Sequence, residues 1–173
     1  MKKAILFDLD NTLVDTSSLF ELRKQNNWTQ VYKNIPETTI DPRVNILLKK
    51  LHSEGVEMGI VTNSPAKYAH KIISYHGINI EVLTGYHDTK KHKPFPDPII
   101  DGINKMNLNL GKDLIAYVGD EPNDMIAANN AHGVFSIGVT WGSFNANELK
   151  DAGSKLTVNS FDEIYKFSLS WGL

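Results

Sequence analysis

The apolar positions of this chain follow two rhythms. Runs that are apolar except at Glu57, Glu81 and Ser136 occupy 4–7, 56–61, 80–83, 114–118 and 134–139. They do not alternate with polar residues, which is the pattern of strands covered on both faces. Elsewhere apolar residues recur at three- and four-residue spacing, as in Val44, Leu47, Leu48 and Leu51, or Ile99, Ile100, Ile103 and Met106. That spacing is the stripe of an amphipathic helix. Asp41-Pro42, Ser64-Pro65, Asp97-Pro98 and Glu121-Pro122 open segments that close at or before Gly55, Gly77, Gly111 and Gly133. Proline suits a first helical turn, and glycine suits the left-handed stop. Residues 156–158 add a short edge strand and 160–171 a last helix. The alternation predicts an α/β fold, a Rossmann-like parallel sheet with helices on both faces. Such sheets bind ligands beyond the carboxyl ends of their strands.

One stretch breaks the rhythm. Residues 16–40 hold no strand and read as a short helical insert within a single core domain spanning 1–173. The insert carries Leu19, Phe20, Leu22, Trp28, Val31 and Tyr32, with Arg23, Lys24 and Lys33 among them. These apolar side chains either pack short helices onto the core or, at Trp28 or Tyr32, line an entrance. In the second case Arg23 or Lys24 would touch a second anionic group.

Composition narrows the partners. A formal charge of -2 over 173 residues predicts no general nucleic-acid binding and no attraction to a membrane surface. The absence of cysteine excludes disulfides and thiolate metal sites. The apolar start is broken at once by Asp8 and Asp10, unlike a secretory signal. A cytoplasmic monomer is the default expectation.

Polar residues gather where the strands end: Asp8 and Asp10 after the first, Thr62, Asn63 and Ser64 after the second, Asp120 and Asp124 after the fourth. Lys93 lies in the loop His92-Lys93-Pro94-Phe95-Pro96. Together they supply what a phosphate monoester needs. The Asp8 carboxylate can attack phosphorus and form an acyl-phosphate. Asp10, two residues on, can pass a proton, since crowded carboxylates raise one another's pKa. Asp8, the carbonyl of Asp10, and Asp120 are hard oxygen ligands for Mg²⁺. Thr62 and the backbone N–H groups near Ser64-Pro65 can donate to phosphate oxygens, and Lys93 supplies a positive charge. Taken singly, these residues read as turn, cap or surface positions. Asp124 alone would be a solvent-facing residue of a first helical turn. The six histidines lack metal spacing, and His87 and His92 read as exposed loop residues.

The run Phe7-Asp8-Leu9-Asp10-Asn11-Thr12-Leu13-Val14-Asp15 resembles the first motif of haloacid-dehalogenase-like phosphatases. Thr62-Asn63 resembles the second, Lys93-Pro94-Phe95-Pro96-Asp97-Pro98 the third, and Gly119-Asp120 through Asp124 the fourth. Ile137 to Gly142 is similar to the strand and loop of the phosphoglycolate-phosphatase-like branch. The resemblance implies Asp8 as nucleophile, Asp10 as general acid and base, and Thr62, Asn63 and Lys93 as phosphate partners. It also implies Mg²⁺ at Asp8, Asp10 and Asp120, with Asp124 supporting the metal shell. Asp10 argues against a dehalogenase, which lacks that acid. A phosphomutase shares all four motifs, and a catalytically idle relative that binds a phosphorylated partner is the reading from another class. The insert is much shorter than the helical cap such relatives often carry. A small lid predicts an open site that accepts bulky phosphate esters: nucleotides, sugar phosphates or phosphorylated chain ends.

Overall fold

The computed structural model describes residues 1–171. Six strands form one sheet: β1 (Lys3–Phe7), β2 (Val56–Val61), β3 (Val82–Thr84), β4 (Leu114–Gly119), β5 (Val134–Val139) and β6 (Leu156–Val158). Their order is β3-β2-β1-β4-β5-β6, and every neighbouring pair is parallel. The order reverses direction between β1 and β4, which opens a crevice at the carboxyl ends of those two strands.

The non-alternating apolar runs have a simple cause. Ile5 and Phe7 of β1 belong to the core on one face of the sheet, and Ala4 and Leu6 belong to the core on the other. On the first face lie α3 (Pro42–Ser53), α4 (Ala66–Tyr75) and α8 (Phe161–Ser170). On the second lie α5 (Asp97–Lys105) and α6 (Pro122–Asn130). The stripe Val44, Leu47, Leu48 and Leu51 is buried as its spacing predicts.

Three expectations shift. The third strand covers Val82–Thr84 rather than 80–83, because its register is set by pairing with Gly59, Ile60 and Val61. Ser64 does not cap α4; Pro65 holds that position, and the Ser64 hydroxyl points elsewhere. A helix absent from the apolar pattern, α7 (Ala146–Asp151), follows Asn145, whose side chain accepts from the N–H groups of Asn147 and Glu148. The Asn-x-x-Glu spacing was its available signal.

The insert forms two short helices, α1 (Phe20–Lys24) and α2 (Trp28–Lys33), flanked by 3₁₀ turns at Ser17–Leu19 and Ile35–Glu37. Helices this short do not persist alone. Their neck is closed by a pair of hydrogen bonds, Asp15 N–H to Thr39 O (2.9 Å) and Thr39 N–H to Asp15 O (3.1 Å). Leu19, Val31 and Ile35 are buried in the core that α3 and α4 share. Each such burial contributes about 1.5–3 kcal/mol, enough to hold single helical turns in place. The packing expectation therefore holds for Leu19 and Val31.

The back of the insert meets α4 through the Thr38 hydroxyl and His76 Nε2, 2.7 Å apart. Burial lowers the His76 pKa below its ordinary value near 6.5. The unfolded chain then takes up a proton that the fold resists. Stability is full above pH 6.5 and declines as pH falls through that value toward the lower folded pKa. We expect the thermal midpoint of the protein to drop between pH 7.5 and 5.5, with a smaller drop for His76→Gln.

Candidate active site

The site forms at the crevice between β1 and β4. Asp8 is the first residue beyond β1, and its N–H donates to the Val118 carbonyl (2.8 Å). The chain then turns sharply. Asn11 takes a positive φ of 59°, a conformation asparagine tolerates. Its N–H reaches the Val14 carbonyl at 2.7 Å. Ahead of this turn, Asp8 and Asp10 meet different partners.

Asp8, Asp120 and Asp124 are all buried, and each offers a carboxylate oxygen within 4.8 Å of the others. Lys93 is buried among them. Its Nζ donates to Asp8 Oδ1 (2.7 Å), Asp124 Oδ1 (2.7 Å) and the Tyr117 hydroxyl (2.8 Å). Tyr117 in turn donates to the Val61 carbonyl (2.9 Å). Asp120 accepts from the Thr12 hydroxyl (3.0 Å) and the Ser143 N–H (2.9 Å). Asp124 Oδ2 accepts the Glu121 N–H at 3.0 Å, so this residue faces inward and not to solvent.

Two glycines make the crowding possible. A Cβ at Gly119 would collide with the Asp124 carboxylate, and one at Gly142 with that of Asp120. Both positions need the bare backbone because carboxylates lie directly against it.

The electrostatics follow from this packing. Burial raises the Asp8 pKa well above the carboxylate range; Lys93 opposes the rise, while Asp124, Asp120 and Asp10 add to it. Burial also raises Asp120, and the nearby Asp124 charge contributes. At Lys93 burial works against the charged form, but the Asp124 and Asp8 carboxylates outweigh it and hold the ammonium well above its ordinary value. The site therefore holds three carboxylates and one lysine, which pairs with two of them. Buried oxygen donors in that excess suit one hard divalent cation, which would relieve their mutual repulsion.

Asp10 lies outside the carboxylate cluster. The crowding expected at Asp10 falls on Asp8 instead, because the Asp10 side chain is taken up by partners on the insert and α4. Its carboxylate accepts from Ser64 Oγ (2.7 Å), Thr16 Oγ1 (2.7 Å) and the Tyr68 hydroxyl (2.8 Å). It also forms an ion pair with Arg23 of α1. The Arg23 guanidinium lies over the Tyr68 ring, 5.5 Å from its centre. Arg23 thus contacts an anion, but that anion belongs to the protein.

Thr62 is buried and accepts the Ser64 N–H at 3.0 Å, so its own hydroxyl hydrogen is left for a ligand. The Asn63 side chain is partly committed elsewhere. Its amide accepts the Lys93 N–H (3.1 Å) and donates to the Lys93 carbonyl (3.1 Å). One Asn63 amide hydrogen and its backbone N–H are left for a phosphate contact. Asp8, Asp10, Thr62, Asn63 and Lys93 line one cavity of about 170 Å³, which Phe20 and Arg23 bound on the insert side. Sequence reasoning missed Tyr117, Tyr68, Thr12 and the Ser143 N–H. Tyr117 and Tyr68 sit inside a strand and a helix, where an aromatic reads as core.

A six-stranded parallel sheet with buried carboxylates at its switch point defines a hydrolase core of a known kind. The sequence profile of the haloacid dehalogenase-like hydrolases matches residues 20–139, and the chain belongs to that family. Among its relatives is the phosphoglycolate phosphatase of Vibrio parahaemolyticus, 32% identical over 71% of this chain and 54% of that protein. The chain thus matches about half the length of that enzyme. PpaX of Caldanaerobacter subterraneus, assigned as a pyrophosphatase, is 27% identical over 80% of this chain and 81% of its own. A crystal structure from Haemophilus somnus, assigned as a phosphoglycolate phosphatase, superposes with a TM-score of 0.81 at 23% identity. It covers 96% of this chain and 98% of its own, and it shows the common fold. Among the described residues, no helix is long and apolar enough to cross a membrane.

Proposed function

We propose that this protein is a Mg²⁺-dependent phosphomonoester hydrolase that works through an aspartyl-phosphate on Asp8. The observation that carries this reading is the buried cluster of Asp8, Asp120 and Asp124, two of which pair with the Lys93 ammonium. Asp8, the Asp10 carbonyl and Asp120 would hold Mg²⁺, with Asp124 supporting them through Lys93. The ion would supply positive charge that lets a phosphate dianion approach carboxylates.

The chain's own groups account for the remaining chemistry. Lys93 and Thr62 hold phosphoryl oxygens and neutralise charge as it spreads. The free oxygen of Asp8 forms a bond to phosphorus as the ester bond to the leaving oxygen breaks. Asp10 delivers a proton to that oxygen. In the second half Asp10 takes a proton from water, whose oxygen attacks phosphorus and frees Asp8 and inorganic phosphate. For Asp10 to act it must loosen its pair with Arg23, and the negative charge of an arriving phosphate competes for that guanidinium.

Metal dependence is the direct test. Phosphate release from a panel of phosphomonoesters should disappear in EDTA and return with Mg²⁺. Ca²⁺ should restore little, because it favours 6–8 loosely held oxygens and would draw Asp8 into a bidentate contact that spoils its attack. Full turnover in a chelator would rule out the proposal. Binding of phosphate esters with no hydrolysis of any would favour the idle binding relative.

A further inference from the structure

The phosphate cavity is small, and it opens into a larger space. That space, about 590 Å³, lies between the insert and the loops after β2 and β3. It shares Phe20, Arg23, Asn63 and Ser64 with the cavity that holds Asp8. A second space of about 540 Å³ shares Asn11 and Ser143 with that cavity. The space beside the insert is the one that borders it through Phe20 and Arg23, and it can take the rest of a phosphate ester seated on Asp8. Three aromatic residues wall it: Phe20, Trp28 and Tyr86.

These rings are not ordinary surface residues. Phe20 is 54% exposed and Tyr86 41% exposed, although both belong to a class of residue that burial favours. Tyr86 is held in place from behind, stacked on the His92 ring with centroids 3.7 Å apart and planes 21° from parallel. Trp28 leans on Tyr68 and Tyr32, with centroids at 6.0 and 6.3 Å. So two of the three walls are fixed before any ligand arrives, which reduces the cost of ordering them. On the side facing Asp10 sits Arg23, whose Nε is buried and has no hydrogen-bond partner. Lys24 adds a cation to the same wall and makes no ion pair among the described residues. Aromatic faces and cations together recognise an electron-rich planar group, through stacking and cation–π attraction.

Resting on the phosphatase reading above, we infer that this space is the leaving-group subsite and that it selects phosphomonoesters whose leaving group carries a planar aromatic ring. Two sources share that chemistry, a nucleobase and a simple arene. The insert, too short to form a closed cap, supplies two of the rings and so writes specificity with Phe20 and Trp28. Sugar phosphates without a base leave the rings wet and gain nothing from them.

The test uses pairs matched at the leaving oxygen. Adenosine 5′-monophosphate is compared with ribose 5-phosphate, and benzyl phosphate with propyl phosphate. In the wild type kcat/KM should favour the aromatic member of at least one pair by about tenfold or more, the scale of one stacked base. A larger gap in the first pair identifies a nucleobase, and a larger gap in the second an arene. Phe20→Ala and Tyr86→Ala should bring the favoured ratio toward one, while Phe20→Tyr keeps it. Ratios near one in the wild type overturn the inference, as does an aromatic preference that both alanine variants retain. Intrinsic fluorescence separates this from failure of the phosphatase reading. Quenching by adenosine monophosphate but not by ribose phosphate, absent in Trp28→Phe, would place the ring here even if nothing is hydrolysed.

Discussion

Asp8→Asn should reduce phosphate release by at least about 10⁴-fold, the scale on which enzymes lose activity with their nucleophile. The argument is geometric. Asp8 Oδ1 is held by Lys93 at 2.7 Å, which leaves the second oxygen directed to the cavity that also contains Thr62. An amide there cannot form an acyl-phosphate. The fold should survive, because burial already disfavours the Asp8 charge. Asparagine removes that charge and keeps the shape, so the urea midpoint of the metal-free protein should hold or rise. Asp10→Asn makes the contrast. It should cost about 10²–10⁴-fold, the usual worth of a general acid and base, and should keep metal affinity through its backbone carbonyl. Substantial turnover by Asp8→Asn, measured as released phosphate under single-turnover conditions, would refute the covalent mechanism.

Lys93→Met should unfold more easily by about 3–5 kcal/mol, the penalty for stripping the partner from buried charges. Lys93 is the central cation of the site, with contacts to Asp8, Asp124 and Tyr117. Without it the Asp8 and Asp124 carboxylates face each other across a dry space. The Lys93 pKa is raised by those carboxylates against the effect of burial. The linked stability is therefore full below about pH 10.4, the unfolded lysine value, and is lost as pH rises toward the folded one. Urea denaturation at pH 7.5 checks the size of the effect. Added Mg²⁺ should recover part of the loss, since a cation bound only by the folded site stabilises it by mass action. A second variant, Asp124→Asn in the Lys93→Met background, should also recover part of it by removing an unpaired charge. A shift below about 1 kcal/mol, the scale of exposed pairs, would show that the carboxylates rearrange into water.

Much of the molecule was legible along the chain. The five long apolar runs and the four X-Pro openings located the central strands and helices because burial on both faces and helix starts leave local signatures. Asp8, Asp120, Thr62 and Lys93 were legible for a related reason. A parallel sheet delivers the ends of its strands to one edge, so residues distant in sequence can be placed together once the strands are known. The third strand was misplaced by two residues because register is decided across the sheet, at Gly59 to Val61. The helix at Ala146–Asp151 buries only Leu149 and so leaves little apolar pattern to read.

The sequence by itself determined the sheet and which carboxylates, hydroxyls and lysine gather at its edge. Tertiary structure alone decided how those groups are held. Where the chain leaves β1, Asp10 parts from Asp8 and meets Arg23 and Tyr68. Tyr117, Thr12 and the Ser143 N–H enter the site from positions that no spacing rule marks, because each meets its partner through space. The insert shows the division most clearly. Its apolar residues were visible as a set, but which of them would be buried was not. Leu19 and Val31 went inside and Phe20 stayed out, since two short helices pinned at Asp15 and Thr39 can turn only one side toward the core.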